Sequence, residues 1–240
     1  MSVLVVSGTC TGVGKTIVTA ALAALAAARG AAVAVVKPGQ TGAAPDEPGD
    51  LEQVRRLAGI DDLHELARFP DPLSPAAAAR HAGLPPVRLA DVAKRVQELS
   101  RTRRLVLVEG AGGLLVRYDE EGATVADLAR WLGASVVVVA RPDLGTLNHT
   151  ALTLEAMAHR GVQLAGVVLG SWPDEPDLAM RSNLRDLETI AARPLAGAMP
   201  AGAGSLDPAE FLLAAHSALA PPFGGVFDSV VFREANGLPA

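Results

Sequence analysis

The chain has little lysine, one cysteine and few aromatic side chains, and each scarcity excludes something. Only three of its 240 residues are lysine, at positions 15, 37 and 94, against eighteen arginines. Arg therefore fills nearly every basic position, and each Lys needs its own explanation. The single cysteine, Cys10, cannot form an internal disulfide, and no Cys/His grouping has metal-site spacing, so a reducing, cytoplasmic setting is expected. Aromatics are 3% of the chain, too few for a large stacking surface. A net charge of -5 excludes broad attraction to nucleic acid or to an anionic membrane. Any phosphate binding has to be local. The first residues carry no basic leader, and Arg29 and Gly30 cut the longest alanine-rich stretch too early for it to span a bilayer.

What the chain does contain is a repeated alternation. The runs SVLVVSG, AAVAVVKP, RLVLVEG, ASVVVVA and VQLAGVVLG are continuous apolar strands, the pattern of strands buried on both faces. Between them the pattern predicts helices over 14–29, 50–58, 88–101, 123–132, 145–160, 177–192 and 207–220, with a short one at 75–82. The fold class expected is α/β: one domain with a mostly parallel central sheet and helices on both faces. Residues 38–49, PGQTGAAPDEPG, are too rich in Pro and Gly for regular structure and follow a strand, where open α/β sheets bind ligands. The domain is expected over 1–228, with 229–240 a tail of no assigned role.

GTCTGVGKT, residues 8–16, ends the first strand and opens the first helix. That order supplies what a phosphate loop needs: a glycine-rich turn whose N–H groups converge at a helix N-terminus. Lys15 would reach the terminal phosphates and Thr16 would ligate magnesium. Five residues separate Gly8 from Gly14 where the usual pattern has four, so the match rests on Gly-Lys-Thr and its context. Lys37 ends the second strand, which is expected to lie beside the P-loop strand, and a compact ammonium there suits a site better than a planar guanidinium. Glu109 closes RLVLVEG before Gly110, Ala111, Gly112 and Gly113, and a carboxylate so placed can hold Mg²⁺. Asp50 follows Pro48-Gly49 and precedes a helix, so its position alone reads as an N-cap. Gly145 and Thr146 in DLGTLNHT could offer N–H groups to an anion, or form a plain N-cap turn.

Together GTCTGVGKT, KPGQTG at 37–42, VEGAGG at 108–113, DLGTLNHT at 143–150 and GSWP at 170–173 resemble the dethiobiotin synthetase family. The resemblance runs over most of the chain, in the family's order. It implies a P-loop NTPase fold and a ligase that makes dethiobiotin from 7,8-diaminopelargonic acid, CO2 and ATP with Mg²⁺. A carbamate forms on one amine, its oxygen attacks the γ-phosphate, and the second amine closes the ureido ring as phosphate leaves. The resemblance makes Lys15 and Lys37 the catalytic cations and Thr16, Asp50 and Glu109 the Mg²⁺ set. Thr11, Gly12, Val13, Gly14, Lys15, Thr16 and Ile17 would hold the nucleotide phosphates. Thr11, Lys37, Thr41 and Glu109 through Gly113 would meet the substrate. Leu144, Gly145, Thr146, Leu147 and Asn148 would reach its carboxylate across a homodimer interface.

Two departures bear on specificity. Cys10 stands where many relatives carry Asp. Gly170, Ser171 and Trp172 stand where an Asn-Asp pair commonly meets the nucleotide base, with Pro200, Ala201 and Gly202 expected on the base's other side. The nucleotide choice is therefore expected to be relaxed, with CTP tolerated. Among rivals, a cobyrinic acid amidating enzyme would bring a glutaminase domain. A partner-regulated ATPase of the partition or septum-positioning type would place an extra Lys near Thr9 and Cys10. A nucleotide kinase would need an Arg-rich lid, and 38–49 has no Arg.

Overall fold

The computed structural model describes residues 2–237. Valine-rich runs and short polar extensions give β1 (Ser2–Gly8), β2 (Val33–Lys37), β3 (Gln40–Thr41), β4 (Leu63–Glu65), β5 (Arg68–Phe69), β6 (Leu105–Glu109), β7 (Ser135–Ala140), β8 (Leu164–Trp172) and β9 (Gly197–Pro200). The helices are α1 (Lys15–Ala28), α2 (Asp50–Ala58), α3 (Pro75–Ala82), α4 (Leu89–Ser100), α5 (Val125–Leu132), α6 (Thr146–His159), α7 (Leu178–Ala191), α8 (Pro208–Ala218) and α9 (Ser229–Ala235). Seven strands form one sheet in the order β4-β2-β6-β1-β7-β8-β9, every neighbouring pair parallel. Successive side chains of β1 serve opposite cores: Val5 joins the cluster containing α4, α5 and α7 residues, and Val6 joins the one containing α1, α2 and α8 residues. The expected two-faced α/β architecture is the one observed.

The strand order corrects one expectation. β2, which ends in Lys37, does not lie beside β1; β6 pairs with both and separates them. A Val/Leu run buried on both faces suits any interior position, so the local pattern carries no order. The consequence is that Glu109 stands beside Val6 in register, at the foot of the P-loop. Residues 38–49 are also not wholly irregular, since Gln40 and Thr41 pair with Arg68 and Phe69 in a two-residue parallel ladder. β4, Leu-His-Glu, is too short and too mixed in polarity to stand out as a strand, and β9, four residues with Gly first and Pro last, is too short.

Residues 229–235, for which the sequence offers no role, form α9. Asp228 caps it, its Oδ1 accepting from the N–H of Val230 at 2.8 Å and of Val231 at 3.2 Å. Phe232 packs edge-on against Trp172, ring centroids 5.2 Å apart, and Phe227 lies 5.1 Å from Phe232. Phe232→Ala should cost about 1–3 kcal/mol, because an aromatic contact and part of its apolar burial are lost. Urea denaturation would measure the loss, and the emission of buried Trp172 should shift to the red.

Candidate active site

The glycine-rich turn after β1 works because neighbouring backbone packs against it without side chains. Gly14, at φ 96°, precedes Lys15 at the start of α1. A Cβ on Gly14 would stand 2.6 Å from Gly170 O, and one on Gly170 only 1.8 Å from Val13 O. The P-loop therefore rests directly on the backbone of β8. Lys15 is buried to 7% exposure and donates to Cys10 O at 3.0 Å, which curls the loop around its ammonium. Burial, then the neighbouring charge of Lys37, lower its pKa to about 8.

Lys37 and Glu109 end adjacent strands and meet below the loop. The Lys37 ammonium, 3% exposed, donates to Glu109 Oε1 at 2.8 Å and pairs with the carboxylate of Asp50. Burial alone would pull its pKa down, but the carboxylates of Glu109 and Asp50 outweigh it and raise the pKa above the ordinary lysine value. Asp50 is pulled the other way: burial raises its pKa, and Lys37 more than reverses that. Asp50 is the first residue of α2 rather than its cap. Gly49 holds the cap position, its N–H donating to Glu52 Oε2 at 2.8 Å, which leaves the Asp50 carboxylate free to face Lys37.

Thr16 Oγ1 donates to the same Glu109 oxygen at 2.9 Å, while Glu109 Oε2 is buried without a hydrogen-bond partner. A buried carboxylate oxygen left unpaired is costly unless something else satisfies it. Hard oxygen donors from Thr16, Asp50 and Glu109, with that open acceptor, fit a Mg²⁺ ion that takes its remaining ligands from phosphate and water. These groups line one cavity of about 850 Å³, together with Thr11, Gly12, Gly14, Ile17, Thr41, Ala111 and Gly112. Gly110 and Gly113, in the same turn, do not line it; a Cβ on Gly113 would approach Gly8 O to 3.4 Å.

The other expected residues stand outside that cavity. β8 and β9 set Gly170, Ser171 and Trp172 beside Pro200, Ala201 and Gly202, with Ala201 N donating to Trp172 O at 2.8 Å. Ser171 is exposed, while the Trp172 ring is turned into the core against Phe232. The turn that follows β9 lies next to Ile17, since a Cβ on Gly204 would be 3.0 Å from its side chain. Leu144 through Asn148 lie beyond β7. Leu144 is 87% exposed, and Thr146, at the start of α6, is buried with its hydroxyl unpartnered.

Two contributors had no local signal. Tyr118, fully buried, accepts from the N–H of Ala111 at 2.7 Å and so holds the glycine-rich turn after β6. Burial raises its pKa, so it stays a neutral phenol. Tyr118→Phe should cost about 1–3 kcal/mol by leaving the Ala111 N–H unpaired, which equilibrium denaturation would register. Gln40 is the other: its Oε1 accepts from Asp50 N at 2.9 Å and its Nε2 donates to Thr41 O at 3.1 Å. Within KPGQTG it is the residue that ties both ends of the loop.

A strand, a glycine turn and a helix N-terminus carrying Lys15 and Thr16 define a P-loop nucleotide-binding protein of the α/β class. The chain is 64% identical over 233 residues to the ATP-dependent dethiobiotin synthetase of Parafrankia sp. (strain EAN1pec), covering 97% of this chain and 98% of that one. It belongs to the dethiobiotin synthetase family. The corresponding synthetase of Streptomyces coelicolor is 55% identical over 237 residues, 99% of this chain and 100% of the relative. An AAA domain family pattern matches residues 2–208. Among solved structures, the cell division ATPase MinD of Pyrococcus furiosus superposes with a TM-score of 0.53 at 19% identity, covering 89% of this chain and 88% of that one. A ParA family ATPase from Chlorobium tepidum gives 0.53 at 15%, covering 89% and 90%. At those identities the likeness is one of fold.

Proposed function

We propose that this ligase closes the ureido ring of dethiobiotin from 7,8-diaminopelargonic acid and CO2, the penultimate step of biotin biosynthesis. One observation carries the reading: a second buried lysine, Lys37, held between Asp50 and Glu109 in the cavity that the P-loop Lys15 also lines. Hydrolysis of a nucleotide alone would not call for it. A carbamate oxygen attacking the γ-phosphorus, as the bond to the β–γ bridging oxygen breaks and the nucleoside diphosphate leaves, needs its own charge and that of the transferring group neutralised at once. Lys37 stabilises the carbamate and the transferring phosphoryl group, and Lys15 holds the terminal phosphates. The second amine then attacks the carbamoyl carbon, and phosphate leaves with the carbamate oxygen. Thr16, Asp50 and Glu109 would hold Mg²⁺, which when bound neutralises phosphate charge.

Thr11, Thr41 and the turn from Gly110 to Gly113 position the diamine. The substrate carboxylate is taken by N–H groups of Leu144 through Asn148 from a second copy of the chain, a homodimer that the exposure of Leu144 supports. The base site is made of backbone from Gly170 to Trp172 and from Pro200 to Gly202. With Gly170 bare and the Trp172 ring in the core, little side-chain chemistry is left to select adenine, so ATP and CTP both serve. The single thiol fits a reducing cytoplasm.

The test is to supply diaminopelargonic acid, bicarbonate, Mg²⁺ and each nucleoside triphosphate in turn, and follow dethiobiotin by mass. Product with both ATP and CTP is expected. Product with ATP alone would refute the relaxed base site. Nucleotide hydrolysis without dethiobiotin would refute the ligase and favour a partner-stimulated ATPase.

A further inference from the structure

Arg68 makes more directed contacts than any other arginine near the site, yet it does not line the cavity. Its Nε and Nη2 grip both carboxylate oxygens of Glu65, at 2.6 and 2.8 Å. Its Nη1 faces the other way and donates to the carbonyls of Ala44, at 3.0 Å, and Glu47, at 2.5 Å. Those carbonyls belong to residues 42–49, which form no regular element and close on themselves, Ala44 N donating to Glu47 Oε2 at 2.9 Å. Gly49, where that loop ends, is so near that a Cβ would stand 2.9 Å from Arg68 Nη2 and 2.9 Å from Gln40 Oε1.

The two sides of this clasp are the two sides of the site. Glu65 lies opposite Lys37 in the β2–β4 register, so one edge of the guanidinium is fixed to the strand pair that carries Lys37. The other edge holds the loop that delivers Asp50 to Lys37 and begins just after Thr41. Only a planar fork with donors on both edges can bridge a carboxylate and two carbonyls, and a lysine at 68 would offer one point charge. We propose that Arg68 is a positioning residue: it holds loop 42–49 in the conformation that sets Asp50 against Lys37 and Thr41 in the cavity, without touching substrate. The kinetic part of this inference rests on the ligase reading, and its structural part does not.

Arg68→Lys and Arg68→Gln test it in the full-length protein by two readouts. Amide hydrogen exchange without ligands should accelerate by about tenfold or more across residues 42–50, the loss of one or two hydrogen bonds, with β1 and β6 unchanged. The KM for diaminopelargonic acid should rise about tenfold or more while ATP affinity stays that of the wild type. Wild-type exchange in the loop overturns the proposal. So does accelerated exchange with an unchanged KM, and so does acceleration spread evenly over the sheet, which would mark a merely structural residue. If the wild type makes no dethiobiotin, the ligase reading fails, and exchange alone decides whether Arg68 holds the loop.

Discussion

Replacing Lys37 by alanine should lower dethiobiotin formation by about a hundred- to a thousandfold, the usual scale for removing a positioned donor from a developing negative charge. The ammonium is 3% exposed and is shared by two carboxylates, one of which, Glu109, is fully buried. Its removal also leaves the buried Glu109 carboxylate without its ion-pair partner and with only the Thr16 hydroxyl hydrogen-bonded to it, so stability should fall by about 3–5 kcal/mol. Lys37→Arg should rescue little of the activity, because a planar guanidinium does not fit a cavity shaped for one compact charge between Asp50 and Glu109. Product by mass spectrometry, nucleotide affinity by calorimetry and urea denaturation separate the two effects. Nucleotide binding with product lost is the expected pattern, and wild-type turnover in Lys37→Ala would sink the role assigned to this residue.

Gly170→Ala has the second largest expected effect, although alanine adds a single methyl group. That carbon would lie 1.8 Å from Val13 O and 2.7 Å from the Val139 side chain, and the first of these is backbone of the P-loop itself. Either β8 or the loop has to move. Overpacking of this kind costs about 1–3 kcal/mol of stability. Displacing the loop by about an ångström should weaken nucleotide binding or turnover by about a hundredfold. Thermal denaturation checks the first and calorimetric titration with ATP the second. Wild-type ATP affinity in Gly170→Ala would mean that the P-loop is not supported by β8.

Much of the architecture was legible because it is local. Continuous apolar runs told where five strands lie, Gly-Lys-Thr after the first told where phosphate would sit, and helical periodicity placed α1 to α8, though not α9, to within about two residues. Asp50 reads as an N-cap from its neighbours alone. Gly49 takes that position, and Lys37 claims the freed carboxylate.

By itself, then, the sequence determined the α/β class, the phosphate loop and the two lysines at strand-loop junctions, since each is written in neighbouring residues. Only the tertiary structure decided that β6 stands between β1 and β2, and that Glu109 thereby meets Thr16 across 93 residues and Lys37 across 72. It also decided that Arg68 clasps a loop more than twenty residues earlier, that Tyr118 pins Ala111 and that α9 closes over Trp172. Such contacts depend on strand order and on which backbone atoms are left without partners after packing. Neither has a period that a local stretch of sequence can show.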